Sequence, residues 1–510
     1  MQKGLILLFV ALWLALVSCA INPVTGKRQL ALLPQSYEIE MGQKQYAPIR
    51  QMHGGDYLLD PELTEYVQSI GQRLAAVSDR KLPFEFVVLN NSIPNAWALP
   101  GGKIAINRGL LVELQSEAEL AAVIGHEIVH AAARHGAQSF ERGLLLQGAF
   151  LAVAIATGGN DFSSLAVGAA AVGGDLIKQR YSREAELEAD HYGIVYMIRA
   201  GYDPQAAVDL QETFVRLSES KQPNWLAGLF ASHPPSPERV QKNRDTVTQL
   251  APENGEEGRS RYQEKTSHLR KAQPAYEAYD KARQALNEGD LKTARSFVET
   301  ALRIEPDEGR FDCLLGDIMV KWKDYHKAMK AYQTAIAKEP DYFRNYYQRG
   351  KLWIEMGNQK EARKDLEKSL VLLPTADCHY ALGMLNMDQG DHREAVKSFK
   401  AAAKSKSQAG KAALHALHRL DLSDHPDRYL KSRVERKKGR LRIIIHNPTT
   451  VSVRNLRLKV KRSSKRSFKL SVNRTIKPGG HLKIQTDVEE PKKKNIYKWN
   501  IYIEEAIVVD

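Results

Sequence analysis

The sequence predicts a multidomain chain: a mainly α-helical α+β domain, then an α-solenoid, then a C-terminal β-sandwich-like domain. Three observations carry that prediction. Two helical stretches with matched polar faces lie in the first half, a 34-residue period follows, and period-two alternation replaces helical spacing near the C-terminus. A length of 510 residues suits several domains of ordinary size, and 43% hydrophobic with 26% charged residues excludes a chain disordered throughout.

The N-terminus reads as an address. Lys3 precedes an apolar run from Gly4 to Val17, shorter than the roughly 20 residues that cross a membrane, so residues 1–18 predict a signal peptide. The run ends in Leu16, Val17, Ser18 and Cys19, which resembles a bacterial lipobox. Processing there would leave Cys19 as a lipidated amino terminus, and more than one acyl chain makes a stable anchor. The alternative is an ordinary signal peptide with a coincidental cysteine. Ala20, rather than Asp, follows Cys19, as in lipoproteins sent on to the outer membrane. The expected location is therefore the bacterial periplasm, lipid-anchored to that membrane.

The first helical stretch holds His126, Glu127, Ile128, Val129 and His130, reading HEIVH. Ser116 and Glu119 form a capping box ahead of it, and Leu120, Val123, Ile124 and Ile128 give the apolar spacing of a partly buried helix. His126 and His130 then sit one turn apart, where two imidazoles can hold one zinc ion, and the carboxylate of Glu127 can activate water. Either histidine alone is more often a packed core residue than a ligand, so a third ligand is required. The second stretch, residues 182–190 (SREAELEAD), supplies it. Glu186 and Asp190 project from one helical face at i and i+4. Glu186 completes a His, His, Glu set, and Asp190 can accept the outer N–H of a ligand histidine and fix its tautomer. In isolation this acidic helix would read as a solvated face; its pairing with HEIVH reverses that.

HEIVH extended to Arg134, His135 and Gly136, preceded by Asn95 to Gly102 (NAWALPGG) and followed by SREAELEAD, resembles the membrane-associated gluzincin zinc metallopeptidases, among them the CaaX prenyl endopeptidases, HtpX and BepA. The resemblance covers about residues 22–240. The leader, the motif Asn22 to Gly26 (NPVTG) and the helical tail are most similar to the periplasmic members. It implies a zincin catalytic domain with one Zn2+ per chain, His126, His130 and Glu186 as ligands, Glu127 as general base and Asp190 as the partner of a ligand. Peptide-bond hydrolysis would then need no covalent intermediate.

Three further features lie in this domain. His233, between Ser232 and Pro234-Pro235 and followed by Glu238-Arg239, resembles a family segment. The prolines forbid helix and expose the ring, leaving His233 as a fourth metal ligand that keeps the site latent, a donor to the developing oxyanion, or a loop cap. Lys103, Ile104, Ala105 and Ile106, after the Gly101-Gly102 turn, predict an exposed edge strand along which an extended substrate would be read by its backbone. The runs Gly143 to Asn160 and Ser163 to Gly174, broken by Asp161-Phe162, are marginal or short for membrane spans. They read either as packed helices or as a mobile cover over the site.

Pro306, Pro340 and Pro374 are spaced by 34 residues, and Ala294, Ala328 and Ala362 keep the interval. This is the tetratricopeptide period. Four units fit from about 275 to 406, with small residues such as Gly316, Ala328 and Ala335 where paired helices approach. Cys313 and Cys378 fall two units apart, beyond disulfide reach, and predict two buried thiols. Beyond the repeats, Leu441 to Ile445 and then Val451, Val453, Leu456, Leu458 and Val460 alternate with polar residues, a turn falls at Ile476 to Gly480, and Tyr497 to Ile503 predicts a last strand. The length suits an immunoglobulin-like sandwich. The expected domains are thus 19–265, 266–424 and 425–510.

Basicity belongs to one end: residues 428–510 hold 23 of the 74 Lys and Arg but 7 of the 60 Asp and Glu. An exported chain without a recognition motif gives no nucleic-acid partner. The basic strands read as a solvated face, or as a surface for anionic lipids or acidic proteins. These features together predict an envelope zinc endopeptidase that cuts misfolded or misassembled envelope proteins, with protein partners on the repeats and the membrane reached through the lipid. An envelope scaffold or chaperone acting through the repeats, with a latent protease site, is the second reading.

Overall fold

The computed structural model describes residues 19–143, 181–219, 233–250, 255–462, 466–489 and 499–509. The signal-peptide stretch, the apolar runs beyond Gly143 and Lys492 to Lys494 lie outside the described residues. Among the described residues no helix is long and apolar enough to cross a membrane. The chain divides into two compact units, Met1–Asn345 and Tyr346–Asp510.

In the first unit, β1 (Cys19–Ile21) and β2 (Arg28–Leu30) form an antiparallel hairpin, followed by α1 (Gln35–Met52) and α2 (Pro61–Ala76). A three-stranded sheet comes next, from β3 (Glu85–Leu89), β4 (Ala96–Leu99) and β5 (Lys103–Asn107). Its order is β3-β5-β4, with β5 parallel to β3 and antiparallel to β4. Lys103 to Ile106, expected as an exposed edge, are therefore the middle strand: every residue is buried and both backbone edges are already hydrogen-bonded. The Gly101-Gly102 turn, with both residues in the left-handed region (φ 82° and 87°), folds β5 back on β4, and β3 then takes the outer side. This order leaves β3 and β4 at the two edges, and an isolated bridge from Asp56 to Leu89 meets the outer side of β3, so β4 offers the open edge among the described residues.

The short α3 (Arg108–Leu111) leads to α4 (Glu117–Ala132), and after the segment outside the described residues come α5 (Arg183–Arg199), α6 (Gln205–Glu219), α7 (Pro237–Leu250) and α8 (Arg259–Lys265). Ser116 Oγ accepts the Glu119 N–H at 3.1 Å, and the Glu119 carboxylate reaches back to the N–H of Gln115 at 2.7 Å, a capping box displaced by one residue. At the other end Arg134 lies in the left-handed region (φ 65°), where a non-glycine residue needs support. Buried carboxylates give it, Glu38 accepting from Nε at 2.6 Å and Glu141 from Nη2 at 3.1 Å. α4 and α5 meet through two glycines: a methyl group at Gly125 would stand 3.2 Å from the Gly193 carbonyl oxygen, and one at Gly193 3.1 Å from the His126 nitrogen. That close approach sets the two motifs against each other.

The repeats begin with α9 (Ser267–Glu288) and α10 (Leu291–Ile304), then α11 (Gly309–Lys321) and α12 (Tyr325–Lys338), α13 (Phe343–Glu355) and α14 (Gln359–Leu372), and α15 (Ala376–Asp388) and α16 (His392–Ala402), closed by α17 (Gln408–Asp421). The period has a steric cause. Within successive hairpins Gly316 lies under the Tyr332 ring, Gly350 under Leu366 and Gly383 under the Phe399 ring. A methyl at Gly316 would come within 2.4 Å of Tyr332, so the first helix must yield a side chain wherever the second supplies a bulky one. Ala294, Ala328, Ala362 and Ala395 are fully buried. Cys313 and Cys378 are free and buried, as their spacing predicts.

The boundary between the units falls inside the repeats, so the first two hairpins belong with the N-terminal domain. They are seated there by polar contacts. The Arg108 guanidinium lies 3.2 Å from the centre of the Tyr276 ring, Asn90 donates to Glu308 at 2.8 Å, and the Gln51 amide donates to the Asp341 carbonyl at 2.7 Å.

In the second unit α18 (Pro426–Tyr429) precedes β6 (Lys431–Lys437), β7 (Arg440–His446), β8 (Ser452–Arg462), β9 (Arg466–Val472), β10 (His481–Glu489) and β11 (Trp499–Val509). They form two antiparallel three-stranded sheets, β10-β7-β6 and β11-β8-β9. Leu441, Ile443 and Ile445 of one and Val453, Leu458, Val460 and Ile503 of the other share one core. Among the described residues the sandwich has six strands in three-plus-three order, against the seven of the smaller immunoglobulin type.

Candidate metal centre

His126 and His130 leave one face of α4, Glu186 leaves the first turns of α5, and His233 comes from the turn before α7. One ligand atom from each of the four lies within 4.8 Å of all the others, and all four residues are buried. His130 Nε2 is 2.9 Å from His126 Nε2 and 3.5 Å from a Glu186 oxygen. His233 Nδ1 stands 3.0 Å from Glu186 Oε1 and 3.3 Å from His126 Nε2. Three imidazoles and a carboxylate aimed at one point form the donor set that suits a tetrahedral zinc site, so the residues present fit such an ion.

Asp190, one turn beyond Glu186, meets the outer nitrogen of His126 at 2.9 Å. It is itself gripped by Arg239 of α7, which donates from Nε to Oδ2 and from Nη2 to Oδ1, each at 2.7 Å. Arg239 also reaches Glu186 Oε2 through Nη1 at 3.0 Å. One guanidinium thus ties Glu186 and Asp190 of α5 together, a bidentate role open to arginine and not to lysine. Sequence reasoning gave Arg239 no role; its position six residues after His233 was the available signal.

The electrostatics follow from burial and from this pairing. Burial opposes charge on His126, but Asp190 and Glu186 outweigh it and hold the imidazole up to about 10. Burial keeps His130 well below the usual histidine range, while Glu186 is held well below the carboxylate range against burial, His233 being the largest opposing influence. A cation in the site displaces protons from such ligands. Glu127 differs from its neighbours. Burial raises its pKa, its Oε1 lies 3.5 Å from His233 Nε2, and its Oε2 is buried without a hydrogen-bond partner among the described residues. A buried carboxylate oxygen left without a donor beside a ligand cluster is placed to accept a proton from a reacting molecule.

Two more rings complete the wall behind His130. Tyr181 stacks on it at 3.9 Å between ring centres, and His135 Nδ1 approaches His130 Nδ1 to 2.9 Å. A small cavity of about 50 Å³ opens beside His126 and Glu127, walled by Ala96 of β4 and by Val123, Met197 and Phe214. Cys19 is the first residue of β1, and Lys103 to Ile106 stand inside the sheet behind β4 and do not line the cavity.

Residues 61–247 match the model of peptidase family M48, and residues 376–408 match a tetratricopeptide repeat. The chain is 31% identical over 242 residues to the beta-barrel assembly-enhancing protease of Escherichia coli (strain K12), covering 45% of this chain and 48% of that one. Over 225 residues it is 33% identical to a mitochondrial metalloendopeptidase of Schizosaccharomyces pombe, covering 43% and 64%. It is 29% identical over 184 residues to the metalloprotease YcaL of Escherichia coli, covering 35% and 70%. The matched region thus spans about half the length of the beta-barrel assembly-enhancing protease. The convergence of HEIVH with Glu186 and these matches give one conclusion: this chain carries a peptidase family M48 domain joined to tetratricopeptide repeats.

Proposed function

We propose that the chain is a zinc-dependent endopeptidase of the bacterial cell envelope, lipid-anchored through Cys19 to the outer membrane and acting on misfolded or misassembled envelope proteins. The observation that carries this reading is the convergence of His126, His130 and Glu186 beside the unpartnered oxygen of Glu127. Zinc held there would supply Lewis acidity, polarising the scissile carbonyl and acidifying the attacking water. Glu127 takes the water's proton and delivers it to the leaving amine. Substrate lies along the free edge of β4 rather than along β5, since Ala96 of β4 borders the cavity next to Glu127. The apolar wall of Val123, Met197 and Phe214 then takes a small apolar side chain of the substrate. The repeats bind protein partners, and the relative named for enhancing beta-barrel assembly makes outer-membrane barrels the first clients to test.

Purified protein should contain about one zinc per chain and cleave unfolded casein in a chelator-sensitive way. Glu127→Gln should keep the metal and lose roughly 10²- to 10⁴-fold in rate; full cleavage by that variant removes Glu127 from the role of base. Crosslinking in the envelope with Glu127→Gln should trap barrel proteins, and recovery of lipoproteins alone would redirect the substrate assignment.

A second reading, an envelope scaffold or chaperone with a latent site, is favoured by His233, whose Nδ1 closes the ligand set against Glu186 and His126. In that reading His233→Ala raises the rate of casein cleavage. A lower rate assigns His233 to stabilising developing charge instead, and unchanged rate and zinc affinity remove both roles.

A further inference from the structure

The two histidines of HEIVH are supported differently on their outer sides. His126 leans on a carboxylate directly. His130 faces a second imidazole: its Nε2 points into the ligand cluster, and its Nδ1 lies 2.9 Å from Nδ1 of His135, which is 6% exposed. Two neutral rings meeting nitrogen to nitrogen share one proton. If Nε2 of His130 carries the lone pair that a metal needs, the proton sits on its Nδ1, and Nδ1 of His135 accepts it. His135 is then protonated on Nε2. That nitrogen faces Glu188 Oε2 at 3.5 Å, an electrostatic contact longer than a full hydrogen bond, and no described group accepts from it more closely. The other oxygen of Glu188 accepts from Lys27 Nζ at 2.7 Å.

Lys27 is brought there by the NPVTG turn between β1 and β2. Asn22 Oδ1 accepts the N–H groups of Val24 at 2.9 Å and Thr25 at 3.2 Å, and Gly26 takes the left-handed region (φ 68°). Asn22 Nδ2 donates to the carbonyl of Ala133, the cap of the helix that bears both histidines, at 3.2 Å. The same turn therefore fixes the end of α4 and places the lysine that faces Glu188. At that helix end the left-handed Arg134 swings His135 back onto His130.

We propose that Lys27, Glu188 and His135 form a positioning chain that sets the tautomer and orientation of His130, so that the N-terminal hairpin tunes how tightly the site holds its metal. This rests on the metal reading of the cluster. None of the three residues touches the reacting atoms. Each acts through its neighbour, as a partner outside a metal's ligands does, and losing such a partner weakens metal binding about 10- to 100-fold.

The test uses the full chain, with zinc affinity measured by competition against a chromophoric chelator and ligand geometry read from the visible spectrum of the cobalt-substituted protein. His135→Leu should weaken zinc about 10- to 100-fold, and Glu188→Gln, nearly the same shape at a partly exposed site one step further out, should weaken it several-fold, each shifting the cobalt bands with the metal-free protein melting as before. His135→Gln, whose amide oxygen can accept the same proton, should recover part of the affinity. Lys27→Met should weaken zinc by less than Glu188→Gln does. Zinc affinity within twofold of the unsubstituted protein and an unshifted cobalt spectrum in both Glu188→Gln and His135→Leu overturn the chain. Absence of zinc and cobalt binding by the unsubstituted protein overturns the metal reading, and the chain with it.

Discussion

The candidate metal centre and the C-terminal sandwich both carry many charges, and they handle them in opposite ways. Around the centre, Glu127, Glu186, Asp190 and Arg239 are all buried, and Arg239 binds both Glu186 and Asp190. On the sandwich, ion pairs such as Arg457 with Glu505 at 2.6 Å and Lys469 with Glu504 at 2.9 Å lie above an aliphatic core whose few buried polar side chains, Asn447, Thr449 and Thr486, are uncharged. A buried charge that loses its partner keeps the full cost of desolvation, while an exposed one turns back to water. Single substitutions should therefore be severe in the first region and mild on the surface of the second.

The largest effect should come from Glu186→Gln. It removes a converging donor and leaves Arg239 Nη1 facing a neutral amide, so zinc should be lost by more than about 100-fold, beyond what loss of an outer partner costs. Metal content after dialysis checks this, and retention of a full equivalent would break the ligand assignment. Next is Ile443→Ala in the sandwich core, where a fully buried side chain is cut back at both sheets' interface. It should cost about 2–5 kcal/mol of unfolding free energy, read by denaturant titration; a loss under 1 kcal/mol would mean that the sheets are not packed as described. Asp190→Asn follows. The amide can still meet His126 but no longer neutralises Arg239, and zinc affinity should fall about 10- to 100-fold.

The centre was legible in the sequence because helical spacing is a strict geometric rule. Residues four apart share a face, so HEIVH and the pair Glu186 and Asp190 each imply their own half-site. The glycines that join the halves, Gly125 and Gly193, and the arginine that locks them, Arg239, depend on tertiary approach, which no periodicity encodes. Strand order failed for the same reason. β4 and β5 are both buried throughout, and nothing in either run tells which is covered on its second edge by β3. The repeats were legible as a period, whose cause, a glycine under a ring, appears only when the hairpin closes. In the sandwich, Leu441 to Ile445 and Val451 to Val460 announced β7 and β8 by alternation, and the last strand, described from Trp499, runs past Ile503 to Val509. β6 carries five exposed positions out of seven and gave no such signal.

The smallest effect should come from Lys469→Ala. Its ammonium pairs with Glu504 at 2.9 Å, but the lysine side chain is 62% exposed, so solvent screens most of the attraction and the released carboxylate is readily hydrated. The expected loss is under about 1 kcal/mol, falling further as salt is raised, because screening acts on the pair and not on the core beneath it. Denaturant unfolding at low and high ionic strength would read both. If Lys469→Ala instead cost as much as Ile443→Ala, at either salt concentration, the charges of this domain would be holding its sheets together. The contrast between a centre built on buried charge and a sandwich built on apolar contact would then fail. If the loss is small, the surplus of Lys and Arg in residues 428–510 is free of any duty in folding, and its cationic strands can be altered several at a time to ask what anionic surface they meet.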